Sequence, residues 1–515
     1  MGKGKRNKKK TIEKNPPPRK KRGWLENLPL WKYIGLLAIL SIIPLFFVFN
    51  PQVDFLDDNC HYMNLGKALY KGMGYVQLHL PDHPPENLVA PGLPVILALL
   101  MHIRDNTHDL LIFKLFSAIC LWLFFLFSAI VFVKYLHLNR WLVLGLILFM
   151  VANIRINKFA SMVTTEAPFM MLSMLTILTF LVYISLKKER YFWFATILSI
   201  ITIYIKITSI PFVIACFIWL LTIKKPQKAF LYAFITAGAL SLWLIPTWIS
   251  SGWGYSSQFG ASEAVHSSPV VYMLLNFVDH LPKYLFVSLP DMMIPLGYYY
   301  IYIETMTIQG IIAGLIVTIT MIIGIAATWR NEKYRILSLF VIVYLGIYFF
   351  MGSCHQRYIL PLVSGIVLMI SLGIWQLLKF LKFSKKAQKI TAFLLLTIVI
   401  MALLPPLIIQ AKYCTLTRHN YISSEKEAFV GRLQYQRYRT EVPGMRYRDA
   451  LIWCKDNLPE DAVIVTAQSR TACFVSDRNC INPSFLNPNE ESIEIRESKL
   501  DTMWKWALGW NATYV

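Results

Sequence analysis

Residues 31–62 read WKYIGLLAILSIIPLFFVFNPQVDFLDDNCHY. The apolar run from Trp31 to Phe49 is long enough, as a helix, to cross a bilayer. No small-residue cleavage site follows it, so it does not read as a removable leader. It gives way to a cluster of acids, Asp54, Asp57 and Asp58. An apolar span that ends in carboxylates is an expensive arrangement, and ionisable groups at span ends recur along the rest of the chain.

Composition agrees with that beginning. Of 515 residues 56% are hydrophobic and 16% charged, and the mean hydropathy is +0.49. Soluble domains carry about 25% charged residues, so an ordinary soluble enzyme is excluded, and so is a disordered chain. Lysine and arginine number 51 against 29 acids, a net +22. Eleven of the bases and one acid, Glu13, lie in the first 22 residues, together with Pro16-Pro17-Pro18. That segment reads as an extended basic tail, residues 1–30, beside an anionic membrane leaflet. The remaining bases are dispersed among short loops, which excludes a nucleic-acid partner.

Further runs of spanning length start near Ile112, Trp141, Ala167, Tyr191, Ile207, Ala229, Ile308, Ile336, Ile359 and Ile390, which gives eleven spans within residues 31–409. With the tail in the cytoplasm, the alternate loops Lys134–Arg140, Lys187–Arg190, Lys224–Lys228, Arg330–Arg335 and Lys379–Lys389 are short and basic, as the positive-inside rule requires. Leu93 to His102 is too short to span and starts after Pro91, so it is expected to lie in the outer interface. Residues 410–515 then fall outside. They alternate helical and β-rich patterns and are expected to form a small extracytoplasmic α/β domain. The fold class is thus a mostly α, polytopic membrane helical bundle, in keeping with a bacterial inner membrane. Of the eight cysteines, Cys120 and Cys216 fall in spans, and Cys473 and Cys480, flanking a short turn outside, are the expected disulfide pair.

This orientation, set by basic loops alone, puts Asp57, Asp58, Arg155, Glu166, Lys206 and Arg357 on one side, which suggests a common outward-facing polar cavity. Each residue also has a plainer reading. Asp57 and Asp58 can cap the helix that follows; Glu166, after Thr164-Thr165, can be a first-turn acid; Lys206 can snorkel; and Arg357 can anchor an interface. Loop Ser250 to Tyr300, with its amphipathic stretch Val270 to Leu281, reads equally as a cover for the cavity or as a passive interfacial helix.

In order and topology these residues resemble the GT-C glycosyltransferases, within them the protein mannosyltransferase and aminoarabinose transferase-like branch. The features that carry the resemblance are Asp57-Asp58-Asn59-Cys60-His61-Tyr62 after the first span, Gly72-Met73-Gly74-Tyr75, Ala90-Pro91-Gly92-Leu93-Pro94, Thr165-Glu166-Ala167-Pro168, Lys206, and Arg357-Tyr358-Ile359-Leu360-Pro361. The resemblance implies a membrane enzyme using a polyprenyl-phosphate sugar as donor and a lipid, glycan or protein acceptor, acting by inverting single displacement. It assigns Asp58, with Asp57 as the adjacent choice, and Glu166 to catalysis. Lys206 and Arg357 are matched to the donor phosphate, with Arg155 and His83 as further phosphate contacts, and His61, Tyr62 and Tyr358 line the cavity. The usual second acid of the first loop is Asn59 here, and a basic residue before the loop proline is replaced by Ala90. A divalent metal ion held by Asp57, Asp58 and Glu166 is compatible with the acids but not required, since the bases can neutralise the phosphate. The competing functions are a secondary transporter, which would carry its charges at mid-membrane, and a non-catalytic scaffold whose outer domain binds partners.

Overall fold

The computed structural model describes residues 24–50, 57–251, 269–293, 307–351, 356–384, parts of 387–411, and 450–482 except 467. It is a helical bundle whose turns are written by short polar residues. Asp109, Asn139, Asn153, Thr307 and Asn331 each stand immediately before a helix and accept a hydrogen bond from one of its first free amides. At the other ends Lys187 and Lys224 reverse the chain in the left-handed conformation, at φ 53° and 58°.

The expected starts fall on helices. Those described in full are Leu30–Val48, Leu110–Ile130, Arg140–Ala152, Glu166–Leu186, Glu189–Ile205, Ile210–Thr222, Pro226–Ser251, Ile308–Thr328, Glu332–Tyr348 and Val363–Phe380. Among the described residues six helices are long and apolar enough to cross a membrane. The number is seven if Arg140–Ala152 and Ile154–Ser161, bent by 60° at Asn153, make one span. Glu189–Ile205 and Glu332–Tyr348 have 17 residues and Ile210–Thr222 has 13, so the apolar periods seen in sequence overstate the length of regular helix. Gly92–Arg104, at 13 residues, is short as expected and packs on Asp57–Tyr70.

The basic turns meet at one end. The Arg140 guanidinium donates to the carbonyls of Leu25 and Leu28, Tyr334 to Leu136 O at 2.8 Å, Trp219 to Glu332 O at 2.9 Å, and Arg335 to Thr222 O at 3.1 Å. Lys225 reaches the Tyr183 hydroxyl at 3.0 Å and Lys228 the Glu189 carboxylate at 2.5 Å. Glu166 and Leu186 terminate a 21-residue helix, so the acid stands roughly 30 Å from this basic end. Helices Ile308–Thr328 and Val363–Phe380 touch backbone to backbone at Gly324 and Gly373, where an added Cβ would stand 1.9 Å from Met369 O and 1.8 Å from Thr320 O.

The described part of residues 410–515 holds a two-stranded parallel sheet, β1 (Val463–Val465) and β2 (Asn479–Ile481), joined by helix Ser469–Ser476. It shares its core with the first loop. Phe474 packs among Cys60, Met63, Leu93 and Leu97, and Ala472, Cys473 and Cys480 among Ala68, Leu78 and Leu451. Cys473 and Cys480 are not bonded to each other, a correction to the expected pair. Their thiols face the carbonyls of Leu78 and Arg478, and burial pushes the Cys473 thiol up to about 12, which keeps it protonated.

Candidate active site

Five segments remote in sequence close around a cavity of about 90 Å³. Helix Asp57–Tyr70 contributes Asp58 and Tyr62, and the loop before Pro91 contributes Leu88, Val89 and Ala90. Thr164, Thr165 and Glu166 come from the start of helix Glu166–Leu186, Lys206 from the end of Glu189–Ile205, and Arg357 and Tyr358 from a short 3₁₀ turn. Lys206 leaves its helix in an extended conformation, φ −150° and ψ 108°, and a 3₁₀ turn Ile207–Ser209 follows at once. That break lets the side chain turn toward the cavity instead of lying along the helix.

Two ion pairs organise the charges. Lys206 Nζ donates to Glu166 Oε1 at 2.9 Å, with both side chains under a tenth exposed. Arg357 donates to Asp58 Oδ2 at 2.5 Å, and this pair is more than a third open. The cavity therefore has a dry end, Glu166–Lys206, and a wet end, Asp58–Arg357. Both cations lie over one aromatic ring: Lys206 Nζ is 5.7 Å and the Arg357 guanidinium 5.4 Å from the Tyr358 ring centroid. Tyr358 is itself seated 5.3 Å from Tyr348, whose hydroxyl donates to Thr208 O at 3.2 Å.

Electrostatics keeps these groups in defined states. Burial, and the charges of Glu166 and Asp58, push the Tyr62 phenol well above its ordinary value, so it remains a hydrogen-bond donor. Burial would lower the Arg357 guanidinium, but Glu166 and Asp58 more than offset this and hold it charged. Each plainer reading of Glu166 and Lys206 is incomplete: a first-turn acid or a snorkelling lysine has no need of a buried partner across helices.

The structure brings Asp58, Tyr62, Glu166, Lys206, Arg357 and Tyr358 together, and separates three other candidates, His61, His83 and Arg155, from them. Asp57 opens the helix, and its side chain lies outside the described residues. His61 is one turn along from Asp58 but points away, pairing with Glu86 at 3.0 Å. His83, at φ 44° in the first loop, does not line the cavity. Arg155 is paired at 3.0 Å with Asp291, beside the bend at Asn153, and is also outside it. Sequence reasoning missed Glu86 and Thr208, both polar residues whose roles depend on contacts far along the chain.

Among the described residues no three His, Cys, Asp or Glu side chains converge as metal ligands. Glu166 and Asp58 each hold a cation already, so the described donor set does not fit a resident divalent ion. A wider concavity of about 720 Å³ lies at the basic end, lined by Ile184, Ser185 and residues 330–333. Its charged lining, Arg330, Glu332 and Lys333, comes from a single turn.

No protein-family model and no curated protein matches the chain. Solved structures do. The crystal structure of ArnT from Cupriavidus metallidurans in the apo state matches with a TM-score of 0.51 at 11% identity, over 88% of this chain and 86% of that one. The same protein bound to undecaprenyl phosphate matches with a TM-score of 0.52 at 9% identity, over 94% and 90%. Across most of its length, therefore, this chain has the fold of ArnT.

Proposed function

We propose that the chain is an integral membrane glycosyltransferase that moves a sugar from a polyprenyl-phosphate donor to a lipid, glycan or protein acceptor on the extracytoplasmic face. The observation that carries the reading is the meeting of two carboxylates and two cations in one cavity at the end of the bundle opposite the basic turns. The ArnT fold, one of whose structures holds undecaprenyl phosphate, supports a polyprenyl-linked donor. In this reading the chain crosses the membrane eleven times, residues 1–30 are cytoplasmic, 31–409 form the catalytic domain, and 410–515 lie outside in the bacterial inner membrane's outer compartment.

The arrangement stores each cation on a carboxylate. A donor phosphate entering the cavity competes for Lys206 and Arg357, and transfer of Arg357 to the phosphate releases Asp58 at the open end. Asp58 then takes the proton of an acceptor hydroxyl as that oxygen bonds to the anomeric carbon. The bond from that carbon to the phosphate oxygen breaks, and its electron pair leaves on the polyprenyl phosphate. Lys206 and Arg357 offset the growing charge through charge-assisted hydrogen bonds in a partly dry site. One displacement inverts the sugar, and no covalent enzyme intermediate is formed.

The test is transfer by reconstituted protein from radiolabelled polyprenyl-phosphate sugars, comparing wild type with Asp58→Asn and Asp57→Asn. Loss of the base is worth on the order of a hundredfold. Folded variants that both transfer at the wild-type rate would remove the base assignment.

A further inference from the structure

The first outer loop contains an acid that the proposed chemistry does not use. Glu86 is buried, and its side chain is fully engaged. Oε1 accepts the amides of Leu88 at 2.7 Å and Val89 at 3.1 Å, and Oε2 faces His61 Nε2 at 3.0 Å. The Glu86 amide donates to Tyr75 O at 2.9 Å, and the Tyr75 hydroxyl returns to Val89 O at 2.7 Å.

This carboxylate joins one wall of the cavity to the helix that supplies another. Leu88 and Val89 line it, and His61 belongs to the helix that carries Asp58, one turn before, and Tyr62, immediately after. A surface acid would not be held this way. Burial alone would raise the Glu86 carboxyl, yet His61 and the two amides hold it below its ordinary value, as an anion.

We propose that Glu86 is a positioning residue for transfer: by fastening residues 88–89 to His61, it fixes the loop wall of the cavity at a set distance from Asp58. This rests on the function proposed above. It assigns no contact between Glu86 and substrate. Its effect is on geometry, and displacement of a reacting group by about 1 Å costs on the order of a hundredfold in rate.

The experiment uses the full chain in lipid nanodiscs and two readouts. In Glu86→Ala, amide hydrogen exchange at Leu88 and Val89 is expected to accelerate at least tenfold, while exchange in helix Glu166–Leu186 is unchanged. In transfer from the polyprenyl-phosphate sugar that wild type accepts, kcat falls roughly ten- to a hundredfold with KM within about threefold. Glu86→Gln keeps an oxygen for the two amides and restores most of kcat. Glu86→Ala and His61→Gln combine to less than the product of their separate effects, because they break one link.

Unchanged exchange at residues 88–89, a change in KM alone, or fully multiplicative effects with His61→Gln would each overturn the proposal. If Glu86→Ala does not fold, His61→Ala breaks the same link from the other side and is read by the same two measurements, with unchanged exchange and unchanged kcat overturning the proposal. Wild type inactive on every donor would refute the transferase reading, while exchange still decides whether Glu86 anchors the loop.

Discussion

Replacing Lys206 with methionine leaves Glu166 as an unpaired carboxylate in a site almost closed to water. At 2.9 Å and an effective dielectric near 20, the pair has roughly 6 kcal/mol of Coulomb attraction, set against the desolvation of both ions. Removing one member of such a pair typically costs about 3–5 kcal/mol, whereas replacing both with apolar residues of similar volume is close to neutral. Lys206→Met is therefore expected to lower the unfolding midpoint clearly, and Lys206→Met with Glu166→Met to restore most of it. The assay is thermal unfolding in detergent followed by intrinsic fluorescence, with transfer activity measured on the same preparations. The double variant should recover stability and still be inactive, since the phosphate has lost its inner cation. Equal stability losses in the single and double variants would refute the buried pairing. Activity in the double variant would refute the role given to Lys206.

Other outcomes follow from particular contacts. Gly373→Leu drives a side chain into Thr320 O and should cost about 3 kcal/mol or more, seen as loss of monodisperse protein, while Gly35→Ala, with nothing within 4 Å, should be within about 0.5 kcal/mol of wild type. Asp477 is ringed by Lys67, by His108 at 3.3 Å and by Lys455 at 2.6 Å. Burial would raise its pKa, but His108, Lys67 and Lys455 together depress it below the ordinary aspartate range. Its stabilisation of the outer segment is then complete above that range and lost only as pH falls below it, and in Asp477→Asn hydrogen exchange at Thr471–Cys473 should be fast and lack this acid dependence. Lys188, exposed in a basic turn, should after Lys188→Cys resist a membrane-impermeant thiol reagent in intact cells; labelling would reverse the orientation.

The helical character of this chain was legible in sequence because bilayer-length apolar runs and turn residues are local properties. The start points near Ala167, Tyr191 and Ile308 fall on helices that Thr165, Lys188 and Thr307 precede. Which charges share an end was partly legible: four of the five loops chosen for their bases, 134–140, 187–190, 224–228 and 330–335, are linked by contacts at one end, and Asp58, Glu166, Lys206 and Arg357 meet at the other. Helix length was not, because breaks such as Asn153 and Lys206 depend on what the side chain meets after folding. The same limit explains His61, His83 and Arg155, ionisable residues near the expected cavity that turn to other partners or away from it.

What the sequence alone determined is which segments are too apolar to leave a membrane and which end of each carries charge, since burial of apolar side chains and the cost of exposing ions there need no knowledge of neighbours. Only the tertiary structure decided which acid meets which base: Glu166 with Lys206, Asp58 with Arg357 and Glu86 with His61. A pair across 299 residues is an outcome of helix packing, and an ion pair's strength depends on distance and dielectric, neither of which is written in either residue.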